Sequence, residues 1–284
     1  MKLTNNHKIL IVGLGLIGGS YAEGFTSKGF EVGAITKEQS SIDFALEKGI
    51  IKSGQNVVDK DYVQQFNVVV FALYPKVFIE WIKTYQDYFK DGTLITDVTG
   101  IKSSIVYEIQ SYLKETVEFV PAHPMAGKEV YGVENSNKDI FKGANYIVTP
   151  TDKNTQEAID TVVEIGQILD FKRISIITPE EHDEMIGFLS QLTHCIAVTL
   201  MNCKESRHLV DYTGDSFRDL TRIARINEDM WCELFLMNKK VLLDQMDLFI
   251  EEFIKLKQAL ENEDVETIKE MMRLSTLRRS YFDK

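Results

Sequence analysis

Cysteine and proline are scarce in this sequence, which holds three cysteines and five prolines in 284 residues. The cysteines are few, odd in number and set among apolar residues, so we expect reduced thiols in the core of a cytoplasmic protein rather than a disulfide framework. No apolar run approaches the length of a transmembrane helix. No signal peptide is recognisable before the glycine-rich turn that follows Val12. These absences predict a cytoplasmic protein with no membrane partner.

An excess of positive charge is also missing, because the formal net charge is −11 and the sequence pI is about 5.1. A protein without an extended positively charged surface does not attract the phosphates of a nucleic acid, which argues against nucleic acid as a partner. Anionic cofactors or substrates must then be held by local features, such as a helix N-terminus or single basic side chains. A length of 284 residues is enough for two domains.

A glycine motif near the N-terminus is the strongest signal for function. The apolar segment 8–12 reads as a buried strand, and Gly13-x-Gly15-x-x-Gly18 follows it as a tight turn into a helix. Such a turn brings the backbone close to a pyrophosphate and presents helix N–H groups to it. The alternative is a glycine-rich turn between strand and helix that binds no ligand. The predicted cofactor-binding residues here are Gly13, Gly15, Leu16, Ile17 and Gly18.

Strand-like and helix-like segments alternate over residues 1–178. The strand-like segments are 30–35, 67–72, 93–96, 118–120, 145–149 and 172–177, and helical segments cover 102–114 and 155–169. This βαβ alternation predicts an α/β domain with a mainly parallel, doubly wound sheet covered by helices on both faces. Ligands in such a domain bind beyond the carboxyl ends of the strands.

The pattern becomes entirely helical from residue 179 onwards. Thr178-Pro179-Glu180-Glu181 has the composition of a capping box with proline at the first helical position. The helices over 179–284 carry more apolar surface than one buried face requires, which predicts that a second copy covers the remainder. We therefore expect a dinucleotide-binding domain over 1–178 and an all-α domain over 179–284 that forms a homodimer.

The end of the second strand bears on the choice between NAD and NADP. An acidic residue there binds the ribose 2′-hydroxyl and repels a 2′-phosphate. The strand ends instead in Thr36 and Lys37, which slightly favours NADP. The alternative is that these residues form an exposed turn and that NAD binds without a carboxylate.

Three polar clusters carry the candidate chemistry, at 97–102, at 123–127, and at 190–194 together with 214–224. His123 is the candidate base beside the nicotinamide, and the planar fork of Arg222 suits a substrate carboxylate. Asp97 and Thr99, at the exit of a central strand, join the predicted cofactor-binding residues.

Each of these residues also has a simpler interpretation. His123 can be a loop histidine bonded to backbone, His194 a histidine of the core, and Arg222 with Asp219 an exposed ion pair. The spacing of histidines and cysteines predicts no metal site. The histidines without a predicted role are His7, His182 and His208.

The ordered set of motifs resembles the prephenate/arogenate dehydrogenase family of tyrosine biosynthesis, from Gly13 to Trp231. The motifs are Gly-Leu-Ile-Gly-Gly-Ser at 15–20, His-Pro-Met-Ala-Gly at 123–127, Ser-x-Leu-x-His at 190–194 and Phe-Arg-Asp-Leu-Thr-Arg-Ile-Ala at 217–224. The resemblance implies a Rossmann-type N-terminal domain and a helical C-terminal dimerisation domain. It also implies oxidative decarboxylation of prephenate to 4-hydroxyphenylpyruvate with NAD or NADP.

The resemblance further implies a role for individual residues. His123 takes the proton of the ring hydroxyl, while His194 and Arg222 bind the substrate. The matching positions for a gating acid and for residues that line the same pocket are Glu129, Asp219 and Trp231.

One position departs from the family, because Gly100 stands where a serine often supports the catalytic histidine. Thr99, Ser103 or a water molecule is expected to take over that support. The alternatives are a preference for arogenate, a non-catalytic dinucleotide-binding sensor, and a different two-domain dehydrogenase such as a β-hydroxyacid dehydrogenase or an imine reductase.

Overall fold

The computed structural model describes residues 2–128, 130–205 and 207–283. Its strands are β1 (Lys8–Val12), β2 (Glu31–Ile35), β3 (Ser53–Gln55), β4 (Val68–Phe71), β5 (Leu94–Asp97), β6 (Glu118–Phe119), β7 (Ala122–Pro124), β8 (Asn145–Val148) and β9 (Arg173–Ile176). Its α-helices are α1 (Leu16–Ser27), α2 (Gln39–Glu47), α3 (Lys60–Val63), α4 (Pro75–Tyr85), α5 (Ser103–Tyr112), α6 (Gln156–Ile168), α7 (Pro179–Ile186), α8 (Thr193–Asn202), α9 (Asp215–Thr221), α10 (Glu228–Met237), α11 (Lys239–Glu261) and α12 (Val265–Ser280).

The first six strands form a parallel sheet in the order β3-β2-β1-β4-β5-β6. The central strands β1, β4 and β5 are buried almost throughout, as expected where helices cover both faces. The chain order reverses between β1 and β4, which is the point where a doubly wound sheet opens a crevice for ligands. The predicted α/β class and the Rossmann-type arrangement are confirmed.

The last three strands of the domain leave that sheet, in contrast to the single sheet expected. They form a second sheet in the order β7-β8-β9, with β7 antiparallel to β8 and β8 parallel to β9. Pro121 separates β6 from β7 and has no N–H to continue a ladder, so the chain changes sheets there. The sheet change places His123, in the middle of β7, beyond the ends of the main strands.

One continuous helical stretch opens the second part of the chain. It begins with the predicted capping box, in which Thr178 and Glu181 satisfy each other's backbone N–H groups. A π-helical segment, Gly187–Leu192, joins α7 to α8. In the described part of the chain, Pro179–Asn202 is long and apolar enough to span a membrane by length and composition, with a mean hydropathy of 1.3. The expectation that no stretch reaches that length is therefore wrong, although the long core helix of a globular domain passes the same test.

The helical part packs against the end of the sheet through apolar side chains. Ile186 of α7 and Leu234 of α10 belong to the same buried cluster as Ile101, which precedes α5, and Ile105, in its first turn. A buried hydrogen bond adds to this contact, because Asp183 of α7 accepts the N–H of Lys102. Within the helical part, Asn238 donates to the backbone of Asp183 and to the side chain of Gln191. The two parts of the chain thus meet at the carboxyl ends of β5 and β7.

The cysteines lie in less buried places than predicted. Cys195 is half-buried, whereas Cys203 and Cys232 are exposed in the single chain, and all three are free thiols. The prediction of core thiols is therefore wrong for the last two. Both belong to the helical part, whose apolar faces are incompletely covered within one copy of the chain.

Candidate active site

A cavity of about 680 Å³ lies between the carboxyl edge of the main sheet and the helical part. This volume falls within the ordinary range for a small-molecule site. Eight of the predicted site residues line this cavity, and they come from five separate segments of the chain. Those residues are Gly15, Leu16, Ile17, Gly18, Thr99, His123, His194 and Trp231.

The glycine turn has the geometry that a bound dinucleotide requires. Gly13 has a φ of +100°, and a side chain on Gly18 would place its Cβ 1.9 Å from the Gly13 carbonyl oxygen. Gly15 borders the cavity and has open space where a Cβ would stand. It also precedes α1 without a side-chain cap, so the first N–H groups of the helix face a place that an anion can fill. The turn therefore fits the pyrophosphate of a dinucleotide.

A buried ion pair lies beneath the cavity floor. Lys102 Nζ is 2.7 Å from Asp97 Oδ2, with side-chain exposures of 1% and 0%. Lys102 also donates to the carbonyl of Ala122, and Asp97 accepts the N–H of the same residue. The pair thus holds the backbone next to His123. Asp97 was predicted to bind the cofactor, but its carboxylate faces these protein groups instead of the cavity.

Thr99 lines the cavity as predicted, although its hydroxyl has protein partners. The hydroxyl donates to the Ile101 carbonyl at 2.9 Å and also contacts the Asp97 carboxylate. Its support of His123, one of the substitutes expected for the missing serine, therefore has no basis in this geometry.

His123 has a partner that was assigned no role from the sequence. His123 Nδ1 is 2.9 Å from His182 Nε2, and His182 Nδ1 is 2.8 Å from Asp183 Oδ1. His182 is fully buried, whereas His123 keeps part of its surface open to the cavity. The Nδ1 contact leaves His123 Nε2 as the ring nitrogen that remains for a molecule in the cavity.

The surroundings of His123 favour its neutral form. Burial lowers the pKa of His123 well below its ordinary value of 6.5, and the nearby His182 and Lys102 lower it further. A neutral imidazole accepts a proton, so the ring stays competent as a base below the pH range in which a free histidine becomes charged.

His194 and Trp231 form the opposite wall. Their rings stack with centroids 3.7 Å apart and an interplanar angle of 30°. His194 Nδ1 donates to the carbonyl of Ser190 at 2.8 Å, which fixes the orientation of the ring on the cavity wall. The simpler interpretation of His194 as a core histidine does not fit its place on the cavity wall.

The other predicted substrate-binding residues, Arg222, Asp219 and Glu129, are not among the described residues that line the main cavity. Arg222 borders a neighbouring cavity of about 540 Å³, whereas Arg225 borders both that cavity and the main one. Asp219 is exposed on α9, and Glu129 lies outside the described residues. Lys128 and Arg225 are the basic side chains among the described residues of the main cavity, and no described acidic residue lines it.

The end of β2 contains a carboxylate that the sequence pattern did not reveal. The hydroxyl of Thr36 donates to Glu38 Oε2 at 3.3 Å, and Lys37 is exposed beside them. Glu38 is two residues beyond the position where an acid is usually sought. The turn after β2 brings the Glu38 side chain back beside Thr36, at the end of the strand.

Three residues of interest were thus missed from the sequence: His182, Arg225 and Glu38. Arg225 follows the recognised motif by one residue, and Glu38 follows Lys37 directly, so a wider window around each motif would have included both. His182 lies 59 residues from His123 and has no local signal apart from its place before Asp183.

The chain matches two family models that together cover most of its length. One is described as prephenate dehydrogenase, nucleotide-binding domain, over residues 23–175, and the other as prephenate dehydrogenase, dimerization domain, over residues 178–274. Prephenate dehydrogenase of Lactococcus lactis is 32% identical over 250 residues, which are 85% of this chain and 68% of that protein. Prephenate dehydrogenase of Bacillus subtilis is 29% identical over 92% of this chain and 72% of that protein.

A solved structure agrees over almost the whole molecule. The crystal structure of prephenate dehydrogenase from A. aeolicus in complex with hydroxyphenyl propionate and NAD+ has a TM-score of 0.90 and 28% sequence identity. The match covers 99% of this chain and 100% of that one. Together with the two family models and the glycine turn, this agreement shows that the chain belongs to the prephenate dehydrogenase family.

Proposed function

We propose that this protein oxidises and decarboxylates prephenate to 4-hydroxyphenylpyruvate, using NAD+ or NADP+ as hydride acceptor, in tyrosine biosynthesis. The observation that supports this most directly is the position of His123. Its ring shares one cavity with the start of α1, and Nε2 is the ring nitrogen left for a ligand. A base and a dinucleotide site in one cavity are what alcohol oxidation requires.

The reaction follows from the chemistry of the substrate. Prephenate carries a hydroxyl on a cyclohexadiene ring, together with a ring carboxylate and a pyruvyl side chain. His123 Nε2 takes the hydroxyl proton as the C–H bond of the same carbon breaks. A dinucleotide held at the start of α1 would supply the nicotinamide that serves as hydride acceptor. The ring carboxylate leaves as CO2, the ring becomes aromatic, and the proton returns to the phenol oxygen, so atoms and charge balance.

The protein mainly orients the substrate, since formation of the aromatic ring supplies the driving force. The stacked pair of His194 and Trp231 presents a flat wall to the ring. Lys128 and Arg225 provide positive charge for the two carboxylates. The low pKa of His123, caused mainly by burial, keeps its imidazole unprotonated before the reaction.

An assay that crosses two cofactors with two substrates tests the proposal. Absorbance at 340 nm is followed with prephenate or arogenate and with NAD+ or NADP+. Turnover of prephenate supports the proposed reaction, and a clear preference for arogenate moves the protein to the related activity. If no combination is turned over while dinucleotide still binds, the protein is the non-catalytic sensor instead.

For the cofactor we expect a preference for NAD+, in contrast to the slight preference for NADP predicted from Thr36 and Lys37. The carboxylate of Glu38 beside Thr36 can accept a ribose hydroxyl and repels a 2′-phosphate. Replacing Glu38 with glutamine should therefore raise kcat/KM for NADP+ by about tenfold relative to NAD+, equivalent to about 1.4 kcal/mol. The exposed Glu47→Gln serves as the control. An unchanged cofactor ratio in the Glu38 variant would remove this residue from selectivity.

The two arginines can be separated by parallel substitutions. Arg225→Lys should raise the KM for prephenate by about tenfold or more, because lysine cannot form the bidentate contact with a carboxylate. Arg222→Lys, the change indicated by the sequence alone, tests whether the neighbouring cavity also contributes. A larger KM effect for Arg222 than for Arg225 would restore the original assignment.

We propose that the protein is a homodimer. In the single chain, α11 and α12 expose large apolar side chains, among them Leu248, Phe253, Leu260 and Leu277. Exposed apolar surface of this extent on adjacent helices is typical of a surface that another protein chain covers. The matched dimerization domain includes α11 and most of α12. Sedimentation equilibrium should give twice the chain mass of 32.5 kDa, and Phe253→Glu should lower that value towards a single chain.

A further inference from the structure

His182 lies behind His123, on the side away from the cavity. It comes from α7 of the helical part, whereas His123 comes from β7 of the dinucleotide-binding part. The rings contact each other through His123 Nδ1 and His182 Nε2. Gly100, which has no side chain to offer, lies next to the same imidazole, because a Cβ there would be 3.8 Å from His123 Cε1.

We propose that Asp183 and His182 are positioning residues that hold His123 in the tautomer with a free lone pair on Nε2. This proposal rests on the proposed function, since only a base needs that tautomer. The pair provides the support that a side chain at position 100 cannot provide in this chain.

The argument starts at Asp183, whose carboxylate is fixed in direction. Its Oδ1 accepts the N–H of Lys102 and its Oδ2 accepts the N–H of Ser103, each at 2.8 Å. These N–H groups lie at the start of α5, where a negative charge is favoured. The carboxylate is therefore ionised, and an ionised carboxylate can only accept hydrogen bonds.

The direction of each hydrogen bond then follows along the chain of residues. His182 Nδ1 must be the donor in its 2.8 Å contact with Asp183 Oδ1. Burial lowers the pKa of His182, although Asp183 opposes this, so the ring is neutral and carries one N–H. Its Nε2 can then only accept, and His123 Nδ1 must donate to it. The proton of neutral His123 is thus on Nδ1, and Nε2 is free to act as the base.

The same contacts also favour the charged state that forms during the reaction. When His123 Nε2 has taken the substrate proton, both ring nitrogens carry N–H groups. The Nδ1–H still donates to His182, whose other nitrogen donates to the carboxylate of Asp183. The imidazolium is therefore connected to a negative charge through two hydrogen bonds, which stabilises it in a buried place.

Three substitutions test the proposal. Asp183→Asn puts an amide N–H₂ within reach of His182 Nδ1, which allows both histidines to adopt the reversed tautomer. We expect kcat for prephenate to fall by about 10²–10³-fold with KM within about threefold, because a base in the wrong tautomer has lost its lone pair. His182→Leu should show a similar loss. His182→Gln keeps an acceptor near the position of Nε2 and should retain kcat within about tenfold of the natural protein.

Thr178→Ala is the matched control for stability. It removes a hydrogen bond from the N-terminus of the same helix without contact to His123. We expect a lower Tm and an unchanged kcat. If the Asp183→Asn and His182→Leu proteins are folded and their kcat is within about twofold of that of the natural protein, the proposal is overturned. Residues with only a structural role would lower Tm and leave the tautomer of His123, and therefore kcat, unchanged.

A measurement without substrate separates this proposal from the proposed function. Nitrogen-15 NMR of the imidazoles in the natural protein should show His123 with its proton on Nδ1 and His182 likewise. Asp183→Asn should move the His123 proton to Nε2. A natural protein with the His123 proton on Nε2 would overturn the positioning role, even if prephenate is turned over. The expected tautomers together with no turnover would reject the activity alone.

Discussion

Replacing His123 with asparagine is expected to lower kcat for prephenate by about 10²–10⁴-fold while the protein stays folded. Asparagine has no group that accepts a proton near neutral pH, whereas the burial-lowered pKa of His123 keeps its imidazole neutral and basic. The hydride must then leave from a carbon whose hydroxyl keeps its proton. Steady-state kinetics at 340 nm measure the loss, and the binding constant of the dinucleotide should change little because the start of α1 is untouched.

His208→Asn is the control for this substitution, since His208 is an exposed histidine of the helical part. It should leave kcat, KM and Tm unchanged. Turnover of the His123 variant within about threefold of the natural protein would exclude proton transfer to this ring. A large rise in KM without a fall in kcat would make His123 a binding residue instead.

Replacing Lys102 with methionine is expected to destabilise the protein by about 3–5 kcal/mol. The carboxylate of Asp97 would remain buried and would lose its only described cationic partner, at 2.7 Å. Burial lowers the pKa of Lys102 and the contact with Asp97 opposes that effect, so the charged form of Lys102 depends on the carboxylate of Asp97. Urea unfolding followed by circular dichroism measures the change in the free energy of unfolding.

Two companion variants make this measurement specific. Lys142→Met breaks an ion pair of similar length, 2.8 Å, whose side chains are 60% and 50% exposed, and stability should hardly change. The double variant Asp97→Asn/Lys102→Met removes the unpaired charge and should recover part of the loss. Equal stability of the Lys102 variant and the natural protein would mean that the buried pair contributes nothing.

Features encoded over a few neighbouring residues were predictable from the sequence. The glycine turn needs only the local backbone, as the φ of Gly13 and the close approach of Gly18 to the Gly13 carbonyl illustrate. The capping box at Thr178 depends on residues within one turn and was predicted to the residue. His123 was found because it follows a strand end within a short motif.

Contacts between distant segments were not predictable in the same way. The pairing of β7 with β8 depends on where Pro121 turns the chain, and alternation of apolar residues is the same in either sheet. The contact of His123 with His182 joins β7 to α7, and a buried histidine beside an aspartate resembles an ordinary helix start in the sequence. The place of Arg225 in the cavity depends on the short turn over 222–224, which helical periodicity does not indicate.

The π-helical segment Gly187–Leu192 changes the rotation about the helix axis between residues of α7 and residues of α8. Twelve residues of regular α-helix make about 3.3 turns, so His182 and His194 would lie about a third of a turn apart around the axis. The wider i→i+5 turns of a π-helix rotate less per residue and reduce that difference. If the segment were wound as regular α-helix with all its residues retained, one histidine would therefore turn away by about a third of a turn while both flanking helices persist. Deleting one residue at the same time would leave eleven residues, about 3.1 turns, and would nearly restore the alignment. The direction in which the two imidazoles face relative to each other therefore depends on the winding of this segment together with its number of residues.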